Sequence, residues 1–287
     1  MQIIDPHLHL FNLAQGEYAW LKAQNPPHWA DKAKICQNFG DAALELSSDL
    51  ELAGYVHIEA GFDNAASWRE IDWVEGQTTK PMRSVGHIDV LSGPEQFATA
   101  LRELRQRSSL VGIRHIFDTD IARLVTDPNT LVNLKLLSEL GLHFELQIEL
   151  QYENTQDLSL ALISSLPELS FVLNHAGFCP IDPAHEDYAS GMARLASLAE
   201  CHNLSIKASG FEMTDRKYST DHAAQFTARL CDYFGDERVM LASNFPLVTL
   251  SRGYSNYWQE MTEALSRKQI PLQRLVYENA KRIYRFD

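Results

Sequence analysis

Short apolar segments recur along the chain, and the stretches between them carry apolar residues at helical spacing. Their approximate extents are Gln2–Asp5, Tyr55–Ala60, Ser84–Val90, Leu110–Phe117, Leu142–Ile148, Leu169–Asn174, Leu204–Ala208 and Arg238–Ala242. From the second segment onward, consecutive starts lie about 26 to 35 residues apart, which is the length of one strand, one helix and two short loops. The pattern therefore predicts eight β-strands that alternate with α-helices.

Two of the intervening stretches show clear helix boundaries. One begins at Pro94 and the other at Pro128, and both continue with apolar residues at a spacing of three to four. Eight continuously apolar strands covered by amphipathic helices favour a closed (β/α)8 TIM barrel of the α/β class, formed by one domain over residues 1–287. A two-domain doubly wound protein is the alternative. It is disfavoured because no glycine-rich phosphate turn follows the first strand.

The connection between the first and second strands, from about His9 to Leu52, is the longest and is called the flap below. It has room for a large loop plus one helix. Its first part contains Trp20, Pro26, Pro27 and Trp29, so it is aromatic and stiff rather than rich in serine and glycine. We predict a long ordered loop over one end of the barrel. A loop that is merely packed on the surface is the alternative.

Composition limits the partners. The chain has 25 Lys and Arg against 38 Asp and Glu, a net charge of −13, and an acidic surface repels the phosphates of nucleic acids. No run approaches the roughly 18 apolar residues of a membrane span, so no membrane is expected as a partner. Four scattered cysteines and the lack of a secretory leader favour a cytoplasmic protein with reduced thiols. We expect a small-molecule substrate, and association into homo-oligomers stays open.

The strongest local motif is Asp5-Pro6-His7-Leu8-His9, at the end of the first predicted strand. Because side chains alternate along a strand, His7 and His9 lie on the same side. The carboxyl ends of the strands carry the active site in barrel enzymes. The two imidazoles are therefore candidates for binding a metal or a substrate.

Further polar residues interrupt the apolar strands near their ends: His57 and Glu59, His87 and Asp89, Arg114 and His115, and Glu145, Gln147 and Glu149. Ionisable groups in a buried sheet are costly unless they pair or bind a ligand. Arg114 is therefore expected to hold a ligand carboxylate or an internal acid such as Glu59 or Glu145. For His87 or His115, a hydrogen-bonded histidine that faces a helix is the alternative.

The later strands end in distinctive motifs, and together they identify a family. They are Gly112-Ile113-Arg114-His115, Asn174-His175-Ala176-Gly177, Lys207-Ala208-Ser209-Gly210 and Ser243-Asn244-Phe245-Pro246. With the first-strand D-x-H-x-H, this set resembles the amidohydrolase superfamily. Within it, the chain is similar to the branch of 2-pyrone-4,6-dicarboxylate lactonases and sugar-acid lactonases that act on fuconate- or rhamnonate-type lactones.

The resemblance implies hydrolysis of a small carboxylated or sugar-acid lactone by water that attacks the carbonyl. It implies that His7, His9 and His175 surround that carbonyl or a divalent metal, and three histidines would suit zinc with one open position. Metal-free members also exist in this branch. Arg114 resembles the fourth-strand arginine that binds a substrate carboxylate in this family. Lys207, His57 and His87 complete the predicted substrate-binding set.

The chain departs from the family at the end of the eighth strand, where Asn244 stands in the usual position of an aspartate that accepts a proton from the attacking water. An amide is not basic near neutral pH, and general-base assistance supplies about 10²–10⁴-fold. Asn174 likewise replaces a usual aspartate.

Three explanations compete: a metal-bound water with Asn244 as an orienting group, a substitute base at Glu59 or Asp89, or a catalytically impaired ligand-binding barrel. The predicted catalytic set is His7, His9, His175, Asn244 and Glu59.

Overall fold

Eight parallel strands form one sheet in sequence order. The computed structural model describes residues 1–118, 120–152 and 154–287. The strands are β1 (Gln2–Leu8), β2 (Glu51–Ile58), β3 (Met82–His87), β4 (Leu110–Asp118), β5 (His143–Ile148), β6 (Phe171–Leu173), β7 (Leu204–Ala208) and β8 (Val239–Leu241). A parallel bridge between Leu8 and Phe245 brings the ends of β1 and β8 together. The predicted (β/α)8 TIM barrel is confirmed.

Helices follow the strands and cover the outside of the barrel. They are α1 (Trp68–Gln77), α2 (Pro94–Leu104), α3 (Ile121–Thr126), α4 (Pro128–Glu139), α5 (Thr155–Ser165), α6 (Tyr188–Leu198), α7 (Phe211–Thr214), α8 (Thr220–Phe234), α9 (Tyr254–Ser266) and α10 (Asn279–Ile283). Two begin at Pro94 and Pro128, as the sequence predicts, because proline suits the first turn of a helix. Of the helices that the structure describes, none combines the length and apolar character needed to cross a membrane.

The barrel interior is apolar near its amino-terminal end. Ile4, Val56 and Val172 pack there against Tyr284 and Phe286 from the end of the chain. A larger apolar layer lies between the strands and the helices. The lower part of the barrel is therefore filled, and the polar side chains described below lie above this packing.

The flap occupies residues 9–50 in the structure. The room for a helix is taken by three short 3-10 turns, Ala19–Leu21, Lys32–Lys34 and Asp41–Ala43, and these 42 positions are all described and contain no α-helix. Phe11 and Tyr18 pack against Phe62, which follows β2, and Leu247, which follows β8. The flap is thus ordered and lies on the carboxyl-terminal end of the barrel.

Candidate active site

Three buried imidazoles meet at the carboxyl-terminal end of the barrel. His7 lies in β1, His9 follows it, and His175 lies in the turn after β6. The ring centroid of His7 is 5.1 Å from that of His9 and 4.4 Å from that of His175. Gly210 packs so closely that a Cβ there would lie 2.7 Å from Nδ1 of His175, which explains the glycine after β7.

Asp5 joins the two strands that close the barrel. Its buried carboxylate accepts hydrogen bonds from the backbone N–H of His7 at 3.2 Å and from that of Ser243 at 3.1 Å. Burial raises the pKa of Asp5 to about 6, although these hydrogen bonds favour the ionised form. Asp5 therefore fixes the backbone that carries His7 and Asn244.

A buried ion pair orients His7. Nζ of Lys207 lies 3.1 Å from Nδ1 of His7 and 2.6 Å from Oε2 of Glu145, and both Lys207 and Glu145 are fully buried. Burial lowers the pKa of Lys207 to about 8, whereas the Glu145 carboxylate at 2.6 Å favours the ammonium form. The hydroxyl of Tyr284 donates a further hydrogen bond to Glu145 at 2.7 Å.

The Lys207 ammonium decides where the proton of His7 resides. Burial and the Lys207 charge both hold the pKa of His7 well below its usual value, so the ring is neutral. An ammonium group only donates, so Nδ1 of His7 must be the acceptor and Nε2 must carry the hydrogen. Among the described residues, Nε2 of His7 has no hydrogen-bond partner. His7 can therefore donate a hydrogen bond to a bound molecule.

The other two imidazoles are also neutral, because burial lowers the pKa of His9 far below its usual value and that of His175 to about 3. His9 donates from Nδ1 to the carbonyl oxygen of Ile58 at 2.8 Å, so its Nε2 is a hydrogen-bond acceptor. Nδ1 of His175 lies 2.9 Å from Oγ of Ser209. Since a hydroxyl donates and accepts, the tautomer of His175 can adapt to a ligand.

Arg114 lies in the middle of β4 and not at its end as predicted, and it is held by an internal partner. Its Nε donates to Oε1 of Glu59 at 2.7 Å, its Nη2 to the Glu59 carbonyl oxygen, and its Nη1 to Oε1 of Gln147 at 2.9 Å. Burial alone would raise the pKa of Glu59, but Arg114 holds it below its usual value. The Glu59 carboxylate is therefore ionised and engaged in an ion pair. Two of the five guanidinium N–H groups are not used in these contacts.

Asn244 contacts a carboxyl group that the sequence analysis did not single out. Its backbone N–H donates to the carbonyl oxygen of His7 at 2.9 Å, and its Nδ2 donates to Oε1 of Glu212 at 2.6 Å. Glu212 lies in α7 and is 1% exposed. Burial raises its pKa to about 7, against the hydrogen bond from Asn244. The only signal in the sequence is a glutamate between Phe211 and Met213, in an otherwise apolar position.

The remaining predicted residues have other contacts. His57 is fully buried, with Nε2 3.0 Å from Oε1 of Glu70 on α1 and Nδ1 accepting from the backbone N–H of Leu10, so both ring nitrogens are engaged inside the protein. His87 is half-buried and lines a cavity of about 850 Å³ between α1 and α2. The Asp89 side chain is 56% exposed and lies 3.4 Å from Nδ1 of His115. Substrate binding by His57 and His87 stays a prediction.

The three histidines do not fit a zinc ion in the arrangement seen here. A metal requires a lone pair on each ligating nitrogen, whereas Nε2 of His7 carries a hydrogen while Lys207 holds Nδ1. Within residues 1–118, 120–152 and 154–287, no three or more His, Cys, Asp or Glu side chains are grouped to hold a metal ion.

Comparison with known proteins identifies the family of the chain. The Amidohydrolase family model matches residues 4–286. The chain belongs to the amidohydrolase family. It is similar to the uncharacterised protein y4mH of Sinorhizobium fredii, with 28% identity over 300 residues that cover 99% of this chain and 98% of that protein.

Two solved structures share the fold. An amidohydrolase from Burkholderia multivorans, crystallised with bound zinc, has a TM-score of 0.82 at 20% identity and full coverage of both chains. A candidate 2-pyrone-4,6-dicarboxylic acid hydrolase from Pseudomonas putida has a TM-score of 0.69 at 21% identity, over 99% of this chain and 98% of that one. At this level of identity the likeness establishes the architecture and leaves the substrate open.

Proposed function

We propose that the protein is a hydrolase that opens a small carboxylated or sugar-acid lactone by attack of water on the carbonyl carbon. The observation that carries the proposal is the orientation of His7, whose Nε2–H is available for a ligand because Lys207 occupies Nδ1. A hydrogen-bond donor fixed in a buried site stabilises the oxyanion that develops when water adds to a carbonyl. The similarity to a candidate 2-pyrone-4,6-dicarboxylic acid hydrolase supports a lactone as the substrate.

Arg114 supports a substrate that carries a carboxylate. Its ion pair with Glu59 fixes the guanidinium plane, and the two N–H groups outside the observed contacts can bind an anion. A guanidinium held in this way loses little conformational entropy when it binds a carboxylate. Arg114 is accordingly assigned to substrate orientation, and Glu59 to holding Arg114 in place.

A panel of lactones tests the proposal. Purified protein is incubated with 2-pyrone-4,6-dicarboxylate and with the lactones of fuconate and rhamnonate, and acid release is followed with a pH indicator while evolved CO₂ is measured in parallel. We expect acid release from at least one lactone, and a loss of turnover in His175→Asn. His202→Asn is the matched control, since His202 is exposed and lies just before β7, at the opposite end of the barrel.

The outcomes separate three kinds of protein. Acid release that depends on His175 and not on His202 supports the hydrolase. Release of CO₂ in place of acid would make the protein a decarboxylase. Ligand-induced stabilisation without any turnover would favour the rival interpretation, a ligand-binding barrel.

The role of Arg114 is tested with Arg114→Met in a Glu59→Gln background, so that no charge is left unpaired. A hydrogen bond to a charged group contributes about 1.5–3 kcal/mol. We therefore expect kcat/KM for carboxylated lactones to fall at least tenfold further than for neutral ones. An equal fall for both groups would make Arg114 a structural residue.

A further inference from the structure

We infer that Glu212 is the general base of this site and that Asn244 positions it. The inference rests on the hydrolase proposed above and names the group that takes over from the aspartate usual at position 244. It differs from the two substitutes that the sequence suggested, since Glu59 is paired with Arg114 and Asp89 is largely exposed.

The contacts of Glu212 place it at the same end of the barrel as the histidines. Asn244 bonds through its backbone to His7 and through its side chain to Glu212. The segment that leads into α7 passes His175, with Ser209 at hydrogen-bond distance from the ring and Gly210 packed against it. Met213, the next residue after Glu212, packs against the apolar cluster that includes Phe11 and Tyr18 of the flap. Glu212 is therefore joined to the backbone of the histidine cluster through Asn244.

One oxygen of Glu212 is available for a reacting molecule. Oε1 accepts the hydrogen bond from Asn244, whereas buried Oε2 accepts none from any residue that the structure describes. A buried carboxyl oxygen without a hydrogen bond is costly, and a catalytic role or a bound water is among the reasons for which proteins retain such a group. A water molecule or a substrate hydroxyl would supply the missing partner.

The charges around Glu212 do not form a salt bridge with its side chain among the described residues. Arg216 and Arg252 both act to lower the pKa of Glu212, but each is paired with another carboxylate. Arg216 pairs with Asp31 at 3.0 Å and donates to the backbone carbonyl oxygen of Glu212, and Arg252 pairs with Glu260. The neighbouring phenols of Tyr218 and Tyr257 stay neutral, because burial raises the pKa of both. Among the described residues, none forms a salt bridge with Glu212, and burial raises its pKa to about 7. Such a pKa suits a base that works near neutral pH.

Glu212 can carry out both proton transfers of the reaction, first as a base and then as an acid. Oε2 removes a proton from water as the water oxygen bonds to the lactone carbonyl carbon, and the carbonyl π electrons move to the oxygen that faces His7. When the C=O bond re-forms, the ring C–O bond breaks and the departing oxygen takes the proton from Glu212. The products are a hydroxyl group and a carboxylic acid, which ionises at neutral pH.

Three variants test this role on a lactone that the panel identifies. Glu212→Gln keeps the size and the hydrogen bond with position 244 but removes the base, so we expect kcat to fall by about 10²–10⁴-fold. The acidic limb of the wild-type kcat profile, centred near pH 7, should disappear with it. The double variant Glu212→Gln/Asn244→Asp exchanges acid and amide across the same hydrogen bond, and it should recover at least tenfold of the lost rate. Asp215→Asn, an exposed change just after α7, is the control.

The results separate this inference from the proposed function. Full turnover in Glu212→Gln overturns it, and so does a loss that the exchanged pair does not recover, since that would indicate a structural role. If no lactone is hydrolysed, the proposed function fails, and infrared difference spectra between pH 5 and pH 9 still decide on Glu212. A carboxyl band that titrates near pH 7 and is absent from Glu212→Gln supports a poised carboxyl group. A Glu212 that is ionised at pH 5 overturns the inference.

Discussion

Nζ of Lys207 lies 3.1 Å from Nδ1 of His7, in a barrel interior where both side chains are fully buried. The ammonium is compensated by Glu145 on the neighbouring β5 strand. This contact determines the tautomer of His7, because it places the hydrogen of the ring on Nε2. The stability of the barrel and the chemistry of the site therefore depend on the same side chain.

Replacing Lys207 should separate these two roles. Lys207→Met removes the ammonium that compensates the buried Glu145 carboxylate and leaves it only His143 and Tyr284 as partners, so we expect the free energy of unfolding to fall by about 3–5 kcal/mol. Lys207→Met/Glu145→Gln removes both charges and should regain most of that stability. Turnover should stay low in both, because Nδ1 of His7 has lost its donor. Urea unfolding and lactone assays measure the two effects, and a double variant that is fully active would contradict the role of Lys207 in orienting His7.

His7 itself gives a test of the hydrogen-bond donor. His7→Ala removes the N–H, and the loss of one oxyanion donor costs about 10²–10³-fold in kcat. His7→Gln can still present an N–H at a similar distance from the backbone and should lose clearly less. Steady-state kinetics on the same lactone compare the two variants. Equal losses in Ala and Gln would show that His7 does not act as a donor.

The proton on Nε2 of His7 leads to a prediction about metals. We expect the purified protein to keep its turnover and its melting temperature after dialysis against a strong chelator. Elemental analysis of the same sample should find less than one zinc per chain. A stoichiometric metal whose removal abolishes turnover, with recovery on adding zinc, would instead mean that Lys207 and His7 rearrange to free the lone pair.

The sequence predicted those parts of the site that depend on strand ends. Residues at the carboxyl ends of parallel strands must meet at one end of a barrel, so His7 and His175 could be grouped without coordinates. The strand β7 has the bounds that its pattern predicts, Leu204–Ala208. The pattern predicts a first strand that ends at Asp5, before Pro6, which is three residues too short. In the structure β1 continues to Leu8 because a shift in register between Asp5 and Leu8 accommodates the proline.

Contacts between distant segments could not be predicted in the same way. His57 shares the strand-end position of the other candidates, but its partner Glu70 lies 13 residues later on a helix. Glu212 lies 32 residues before Asn244, in a four-residue helix without a recognisable motif. Periodicity fixes the side of an element on which a residue lies, whereas a pairing across two loops depends on loop geometry that composition does not specify.

Glu212 should make the stability of the protein depend on pH. Its pKa is raised from 4.5 to about 7 in the folded state, so the neutral form is favoured there. The resulting stabilisation is fully present below about pH 4.5 and is lost as the pH rises through 7. Glu212→Gln cannot ionise, and its stability relative to wild type should therefore increase between pH 5 and pH 8, by up to about 3 kcal/mol. Urea unfolding at both pH values measures the change, with Asp215→Asn as the control. A constant difference would mean that Glu212 titrates normally.

The final prediction concerns Asn244→Asp as a single change. From the sequence alone, restoring the family's aspartate would be expected to raise turnover by roughly 10²-fold or more. The structure changes that expectation, because the new carboxylate would stand where Nδ2 now lies, 2.6 Å from Oε1 of Glu212. Two carboxylates at that distance share one proton, and one pKa of the pair rises strongly.

We therefore expect Asn244→Asp to increase turnover at pH 7 by much less than 10²-fold, and to lower stability at pH 8. Adding Glu212→Gln should remove the repulsion and restore stability at that pH. The pH profile of kcat and urea unfolding of the single and double variants provide the measurements. A 10²-fold gain in Asn244→Asp with Glu212 still present would mean that the new aspartate acts alone. Glu212 would then not be the base of the wild-type site.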